Sequence, residues 1–301
     1  YLNNLGNDLR TRYVRSGRVE DLEAAIEVYQ QAVAATAPDS PDLPARLNNL
    51  GKSLSDRFVH NGRIEDLDKA ISTYRRACHS GLVSALDEAQ RSARNWGRWA
   101  AHRLAWAEAA EAYTYGLEAA SRRFVLQLSR SGQEGVLGQA QGIAALAAYT
   151  LARAGDLPSA VAAMERGRAR ILAQALEQNR RDLEALPNLG HADLHQRYLA
   201  AESQRQRLLQ SSSECQPASA SPVSSNQHLT ALNVNYEELQ AVIAAIRQLP
   251  GYADFLTEPT FSKVQSTLAT PTALVYLLAT EFGGLALDVH TASVIPVSLD
   301  N

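Results

Sequence analysis

The sequence predicts a mainly α-helical protein of stacked helical pairs that ends in a short β segment. Alanine makes up about one residue in six and aromatic residues only 6%, a composition that favours closely packed helices over a β-sandwich. A segment of 45 residues repeats at the start of the chain, and the apolar spacing becomes strand-like over about the last 40 residues. These observations define the predicted fold class, mainly α with a small β part.

The repeat is visible as matching runs at one constant offset. Leu2–Gly6 recurs as Leu47–Gly51, and Gly17–Leu22 recurs as Gly62–Leu67, both 45 residues later. The same offset relates further apolar residues, namely Leu9 and Leu54, Tyr13 and Phe58, Ala25 and Ala70, Ile26 and Ile71, Tyr29 and Tyr74, and Ala32 and Ala77. So many matches in one register indicate a structural repeat.

Each repeat unit predicts a helix, a turn and a second helix. Leu2, Leu5 and Leu9 fall on one face of a helix, and a second apolar stripe begins at Leu22. Between the stripes, Gly17 is suited to the left-handed conformation that ends a helix. Because a single pair of helices cannot bury its own apolar face, neighbouring pairs are expected to stack into an α-solenoid.

The units resemble the tetratricopeptide repeat in the positions of their small and aromatic residues. The first two units have about seven extra residues in the first helix and the turn. The residues that carry the resemblance are Leu2, Leu5, Gly6, Ala25, Tyr29 and Ala32 in the first unit, then Trp96, Gly97, Ala109, Tyr113 and Gly116, then Ala148, Ala160, Met164 and Gly167. The resemblance implies about four helical hairpins over residues 1–182.

Beyond the repeats, the pattern predicts a long helical hairpin over residues 183–262. Helically spaced apolar residues lie on both sides of a serine-rich stretch, residues 211–225, which is expected to be a loop. Residues 263–301 then change period: Ala273–Ala279 and Leu285–Val289 are runs of strand length. Phe282-Gly283-Gly284 is a turn signal between them, and Ala292 to Leu299 offers a third strand. We expect these strands to open a larger domain, and the chain to be part of a longer protein.

The order of these parts resembles the CHAT-domain family, in which tetratricopeptide repeats are joined to a caspase-like peptidase domain. Besides the repeats and the hairpin, the residues that carry this resemblance are the runs Glu165–Arg170, Pro250–Leu256 and Thr280–Leu287. The resemblance implies a repeat arm over 1–182, a connector over 183–262, and the leading strands of an α/β caspase-like domain over 263–301.

The same resemblance implies where a peptidase would carry its catalytic groups. Such families place a catalytic histidine after a central strand and a catalytic cysteine after a later one. In this sequence the last histidine is His290, and no cysteine follows it. We therefore expect no catalytic residue and no enzyme activity in this chain, which stops before the dyad. The longer parent protein would be a cysteine peptidase only if a histidine and then a cysteine follow in its later strands.

Charge and cysteine usage exclude other classes of protein. The formal net charge of −3 argues against a nucleic-acid coat and a polybasic membrane binder. No apolar run approaches the roughly 20 residues that span a bilayer, and no signal segment is visible, so we predict a cytoplasmic protein. Cys78 is expected to pack as a small hydrophobe and Cys215 to be an incidental exposed thiol. Nothing predicts a cofactor.

Two further patterns have simple structural interpretations. His191 and His195 are spaced for one helix face, but Ala192 stands where a zinc peptidase has glutamate, so two surface histidines are favoured over a metal site. The arginines of the run Glu165–Arg170 point in different directions on a helix, and salt bridges to the next repeat are favoured over an acidic partner.

One polar face has the character of a binding surface. On the first helix of each repeat, the face opposite the helix-pair core is expected to line the concave groove of the solenoid. It carries Asn3, Asn7 and Arg10, then Asn48, Lys52 and Ser55, then Arg94 and Arg98. Amides can bind a peptide backbone, and lysine and arginine can bind carboxylates. A merely solvated face is the alternative.

The sequence thus predicts an interaction scaffold, the repeat arm of a CHAT-domain protein. The arm would bind a protein or peptide, with an acidic one favoured by the basic groove, and would position or regulate a caspase-like peptidase domain. The alternative is a fragment of a cysteine peptidase whose catalytic histidine and cysteine lie beyond residue 301. Sequence beyond Asn301 would discriminate between the two.

Overall fold

In a computed structural model of the chain, the described residues are 1–126, 130–167, 181–214, 222–253, 255–256, 260–269 and 272–299. The chain divides into two compact units. One contains Tyr1–Val125, Glu134–Gly167 and Phe261–Asn301, and the other contains Leu126–Gln133 and Arg168–Thr260.

The helical part of the first unit is a series of helix pairs joined by short turns. In the described part of the chain these pairs are α1 (Leu2–Ser16) with α2 (Val19–Ala34), α3 (Leu43–Asn61) with α4 (Ile64–Ser84), α5 (Leu86–His102) with α6 (Trp106–Leu126), and α7 (Arg130–Arg153) with α8 (Leu157–Gly167). The mainly helical fold and the helix–turn–helix units are confirmed. We call α1, α3, α5 and α7 the first helices and α2, α4, α6 and α8 the second helices.

Within each of the first three pairs, a glycine of the first helix packs against a tyrosine of the second. A Cβ added at Gly6 would lie 2.5 Å from Cε1 of Tyr29, and one added at Gly97 would lie 2.7 Å from Cζ of Tyr113. At Gly51 the corresponding distance to Tyr74 is 3.0 Å. The three tyrosines are almost completely buried. The small residue therefore sets the close approach of the helices, because any side chain there would meet the ring.

The turns of the first two pairs end the first helix in the way that the sequence predicts. Gly17 has φ 70° and Gly62 has φ 67°, in the left-handed region that favours glycine. The next helix begins within two residues, and its first-turn aspartate binds an arginine of the first helix. Arg12 Nε lies 2.8 Å from Asp21 Oδ2, and Arg57 Nε lies 3.0 Å from Asp66 Oδ2.

The last residues form a small antiparallel sheet of β1 (Leu274–Thr280), β2 (Gly283–Val289) and β3 (Val294–Ser298), with β2 in the centre. Tyr276 pairs with Leu287, which in turn pairs with Pro296. Helix α11 (Phe261–Ser266) precedes the sheet.

One face of the sheet is buried in the core of the first unit. Tyr276, Leu278 and Leu287 pack in the same hydrophobic cluster as Ile143 of α7 and Val161 of α8. The side chains that alternate with them are exposed, namely Val275, Leu277, Ile295 and Val297. The sheet is thus held against the helical pairs through one apolar face.

The second unit is built around a helical hairpin. Helices α9 (Ala192–Glu214) and α10 (Pro222–Arg247) contact each other, and a short 3-10 helix, Leu186–Leu189, precedes them. Its core includes Leu186, Val242, Ile246 and Phe255.

The hairpin helices extend further into the serine-rich stretch than its composition indicates. Residues 211–214 complete α9, and residues 222–225 begin α10, so the predicted loop 211–225 is too long at both ends. Pro222 is suited to the first position of a helix, where its missing N–H costs nothing. Cys215 and the rest of the predicted loop lie outside the described residues, as do Arg168, Arg170 and Asp254.

Candidate partner-binding surface

The predicted binding residues lie at equivalent positions of successive first helices. Counted from the glycine that packs on the tyrosine ring, Asn3, Asn48 and Arg94 stand three residues before it. Asn7, Lys52 and Arg98 stand one residue after it. Since α1 contacts α3 and α3 contacts α5, these positions lie on neighbouring helices. Apart from the buried Asn48, we call the predicted residues the first-helix surface, comprising Asn3, Asn7, Arg10, Lys52, Arg94 and Arg98.

Asparagine side chains connect the neighbouring helices α1 and α3. Asn49 Nδ2 donates to Asn3 Oδ1 at 3.1 Å and to Asn7 Oδ1 at 3.3 Å. The Tyr29 hydroxyl donates to the same Asn7 oxygen at 2.7 Å. The Asn7 amide oxygen is thus occupied, while the residue remains exposed. Its NH2 group carries two donor hydrogens.

Asn48 does not face outward as the helical pattern suggests. It is 4% exposed, and its Oδ1 accepts a hydrogen bond of 2.9 Å from Asn95 Nδ2 of the neighbouring helix. Asn49 and Asn95, which sequence reasoning missed, make the contacts between the first helices. A signal for them was present, because both stand two residues before the glycine of their unit.

Lys52, Arg10, Arg94 and Arg98 give the surface its positive charge, and Arg91 of α5 also acts on Lys52. Arg10 binds Asp56 through Nε at 2.9 Å, so α1 and α3 also share an ion pair. Burial lowers the pKa of Lys52; Arg10 and Arg91 lower it further, whereas Asp56 opposes the shift. The described residues offer the Lys52 ammonium no hydrogen bond. Ser55 is buried and donates to the Lys52 carbonyl, so it does not line the surface.

At the third pair the surface already holds a carboxylate. Arg98 Nη2 lies 2.8 Å from Oε2 of Glu281, in the turn between β1 and β2, and the two side chains are 62% and 41% exposed. Burial raises the pKa of the nearby Tyr113; Glu281 adds to the shift, and Arg98 and Arg94 oppose it. The basic end of the surface is therefore electrostatically complementary to an acidic group.

The structure also shows the surroundings of the other residues that the sequence analysis considered. Cys78 is fully buried, and burial raises the pKa of its thiol to about 12. Arg166 pairs with Glu118 of the preceding unit at 3.9 Å, and burial lowers its pKa. His191 precedes α9 and His195 lies in its first turn. Within the described ranges no group of three His, Cys, Asp or Glu residues is arranged to hold a metal ion.

A buried carboxylate from the run Glu165–Arg170 joins α8 to the sheet. Glu165 is 5% exposed and accepts a hydrogen bond of 2.5 Å from the Tyr276 hydroxyl. This is the first residue of the run Glu165–Arg170 on which the CHAT resemblance partly depends. The contact is structural, because it lies inside the core.

Comparison with known proteins supports the repeat interpretation for the first two pairs. A family model of the tetratricopeptide repeat matches residues 1–42 and 45–78, which are the segments of α1 with α2 and α3 with most of α4. The chain therefore contains tetratricopeptide-type repeats, which point to a scaffold for protein–protein interaction. No match is found among curated proteins. No described helix is both long and apolar enough to cross a membrane.

Proposed function

We propose that this chain is a protein-interaction scaffold whose first-helix surface binds an acidic peptide segment of a partner protein. The observation that carries the proposal is the partly buried side chain of Lys52, whose ammonium makes no hydrogen bond to the described residues although Arg10, Arg91 and the carboxylate of Asp56 all act on it electrostatically. A partly desolvated cation gains from a carboxylate that completes its environment, since charge-assisted bonds are stronger than neutral ones.

The amides of the surface suit a peptide better than an isolated anion. Asn7 is exposed next to the Lys52 region, and its NH2 group is directed away from the oxygen that Tyr29 and Asn49 bind. A peptide backbone supplies carbonyl acceptors at regular intervals. An acidic side chain at Lys52 and main-chain contacts at Asn7 would together orient an extended segment along α1 and α3.

The wider role that we propose follows the resemblance to the CHAT-domain family. In that role residues 1–182 are the repeat arm, 183–262 the connector and 263–301 the first strands of a caspase-like domain that the arm positions or regulates in the cytoplasm. The small antiparallel sheet with one buried face supports this order of parts. The alternative, a fragment of a cysteine peptidase with its dyad beyond residue 301, differs only in what the parent protein does.

The experiment is a selection from a random octapeptide library, followed by titration of the selected peptides by fluorescence anisotropy. We expect the selected peptides to be rich in Asp and Glu and Lys52→Glu to lose their binding. The matched control is Lys69→Glu, because Lys69 is an exposed lysine on the second helix α4. It should bind like the wild type.

The double variant Lys52→Glu with Arg98→Glu extends the test to both ends of the surface. We expect it to bind more weakly and with a smaller salt dependence, since two cations of the surface are replaced by carboxylates and only Arg10 and Arg94 remain. Unchanged affinity in a double variant with a normal circular dichroism spectrum would move the binding site to the second helices or to the hairpin of α9 and α10.

A further inference from the structure

The turn between β1 and β2 presents an acidic and an aromatic residue to the first helices. Glu281 pairs with Arg98 of α5. The ring of Phe282 meets the ring of His102, also on α5, edge to face with centroids 5.5 Å apart. The Phe282 carbonyl accepts a hydrogen bond of 2.9 Å from the Tyr149 hydroxyl on α7. Three different interactions thus hold two adjacent residues against two consecutive first helices.

Glu281 binds a residue whose position recurs in each repeat unit. Arg98 is the counterpart of Asn7 on α1 and of Lys52 on α3, each one residue after the packing glycine. A carboxylate of the chain is therefore bound where the repeat geometry offers a polar or cationic group to a partner. An acidic side chain, an adjacent ring and a main-chain carbonyl are groups that a short peptide also carries, although the Phe282 ring packs in addition against the core of the first unit.

The turn is held near the surface by contacts that a soluble peptide would not have to break. Tyr276 binds Glu165 inside the core, and Leu287 is fully buried in the same cluster. The sheet therefore keeps Glu281 at a high effective concentration beside Arg98. The Arg98–Glu281 pair itself is largely exposed, so another carboxylate can replace Glu281 without unfolding the sheet.

We propose that the Glu281–Phe282 turn is a tethered ligand of the first-helix surface, which competes for Arg98 with a peptide that carries an acidic residue followed by an aromatic one. This inference rests on the proposed function and specifies the partner: an acidic–aromatic segment. The turn lowers the apparent affinity for such a segment, because only the fraction of molecules with a free Arg98 can bind it there.

The test uses a fluorescein-labelled octapeptide with the chain's own sequence from Leu278 to Leu285, titrated by anisotropy. Glu281→Gln in the protein keeps the shape of the turn and removes its charge. We expect this variant to bind the octapeptide up to about fivefold more tightly than the wild type, the range of one exposed ion pair. The matched control is Asp39→Asn, an exposed carboxylate in the loop after α2, which should leave the affinity unchanged.

Two further variants separate the competition from the proposed function. Adding Arg98→Gln to Glu281→Gln should abolish the gain, while Lys52→Glu tests the other end of the surface. Equal affinity of the wild type and Glu281→Gln for the octapeptide would overturn the inference. If Lys52→Glu then loses octapeptide binding, the proposed function would still stand. A gain that is indifferent to Lys52→Glu but needs Arg98 would support the inference and remove Lys52 from the site. Binding to neither protein would overturn both.

A second readout tests the contact without any added peptide. Hydrogen exchange at the amides of Phe282 and Gly283 should be several-fold faster in Arg98→Gln than in the wild type or in Asp39→Asn. Exchange elsewhere in β1 and β2 should stay the same, because the buried face of the sheet is untouched. Unchanged exchange at the turn would show that Arg98 does not hold it, and would overturn the inference.

Discussion

Single residues set the spacing of the helix pairs, and the packing glycines are the clearest case. Gly6, Gly51 and Gly97 each bring a helix backbone against a buried tyrosine ring. Each tyrosine ring occupies the space beside the glycine, so a larger residue at the glycine position would collide with the ring. The polar residues next to these glycines owe their position on the surface to this contact.

Replacing a packing glycine with leucine should therefore overpack the pair. We expect Gly51→Leu and Gly6→Leu to lower the free energy of unfolding by about 1–3 kcal/mol, measured by urea denaturation followed by circular dichroism. Gly142→Ala on α7 is the control, because a Cβ there would meet nothing within 4 Å. Alanine favours the helix at that site, so the control should be neutral or slightly stabilising. Equal losses in the glycine variants and the control would contradict the packing argument.

The chemistry of Cys78 is also decided at this scale. Its thiol is completely buried, and burial raises its pKa to about 12. In a Cys215→Ser background, we expect an aromatic disulfide reagent to leave native Cys78 unlabelled at mildly alkaline pH and to label it fully in urea. The double variant with Cys78→Ala gives the zero level. Rapid stoichiometric labelling of the native protein would mean that the α4–α5 core opens readily.

At the scale of the helices, ion pairs fix how each second helix begins. Arg57 near the end of α3 binds Asp66 in the first turn of α4, and it also reaches Glu23 of α2 at 2.6 Å. One guanidinium therefore ties three helices of two neighbouring units. Arg12 and Asp21 make the equivalent contact in the first pair, where the arginine is more exposed.

This arrangement predicts a dependence of stability on pH. Burial raises the pKa of Asp66, but hydrogen bonds from Arg57 and Asn61 outweigh it and leave the pKa below its ordinary value of 3.8. The ionised carboxylate thus stabilises the fold above pH 3.8, and this contribution is lost as the pH falls through the lower folded value.

Asp66→Asn should cost about 1–3 kcal/mol at neutral pH, because it removes hydrogen bonds to a charged group. In thermal unfolding curves, the difference from the wild type should shrink as the pH falls below 3.8. Asp68→Asn, an exposed neighbour on α4, is the matched control and should stay close to the wild type throughout. A difference that does not depend on pH would assign the effect to shape rather than to charge.

At the scale of the whole molecule, the helical pairs and the sheet belong to one compact unit, and the hairpin of α9 and α10 to another. The sheet is distant in sequence from the repeats, yet it shares their core. The exposed turn of the sheet therefore acts on a surface made by the repeats. This contact links the small β segment to the proposed binding surface.

We predict that these 301 residues by themselves do not hydrolyse peptides. No cysteine follows His290 in the sequence, and the thiol of Cys78 is buried and protonated. We expect no cleavage of fluorogenic peptide libraries above a no-protein blank and only slow reaction of thiol-directed activity probes. Hydrolysis that disappears in Cys215→Ala, but persists in Cys78→Ala, would contradict this expectation and assign a catalytic role to Cys215.

The sequence by itself determined the helices, their pairing and the strands, because each depends on local spacing. The 45-residue offset predicted which positions of α1 and α3 are equivalent, and the change of period predicted three strands close to their observed bounds. Periodicity also predicted the helix face of each candidate binding residue. Lys52 on that face is partly exposed, and its role in binding stays a prediction.

Only the tertiary structure decided what each side chain on that face contacts. Asn48 has the same helical phase as its exposed neighbours, yet it turns inward because Asn95 of the next helix offers it a donor. Arg98 lies where the repeat predicts, but its carboxylate comes from Glu281, far away in the chain. Spacing along one helix determines the direction of a side chain but not its partner. For Arg98 the partner is positioned by the packing of the sheet on α7 and α8.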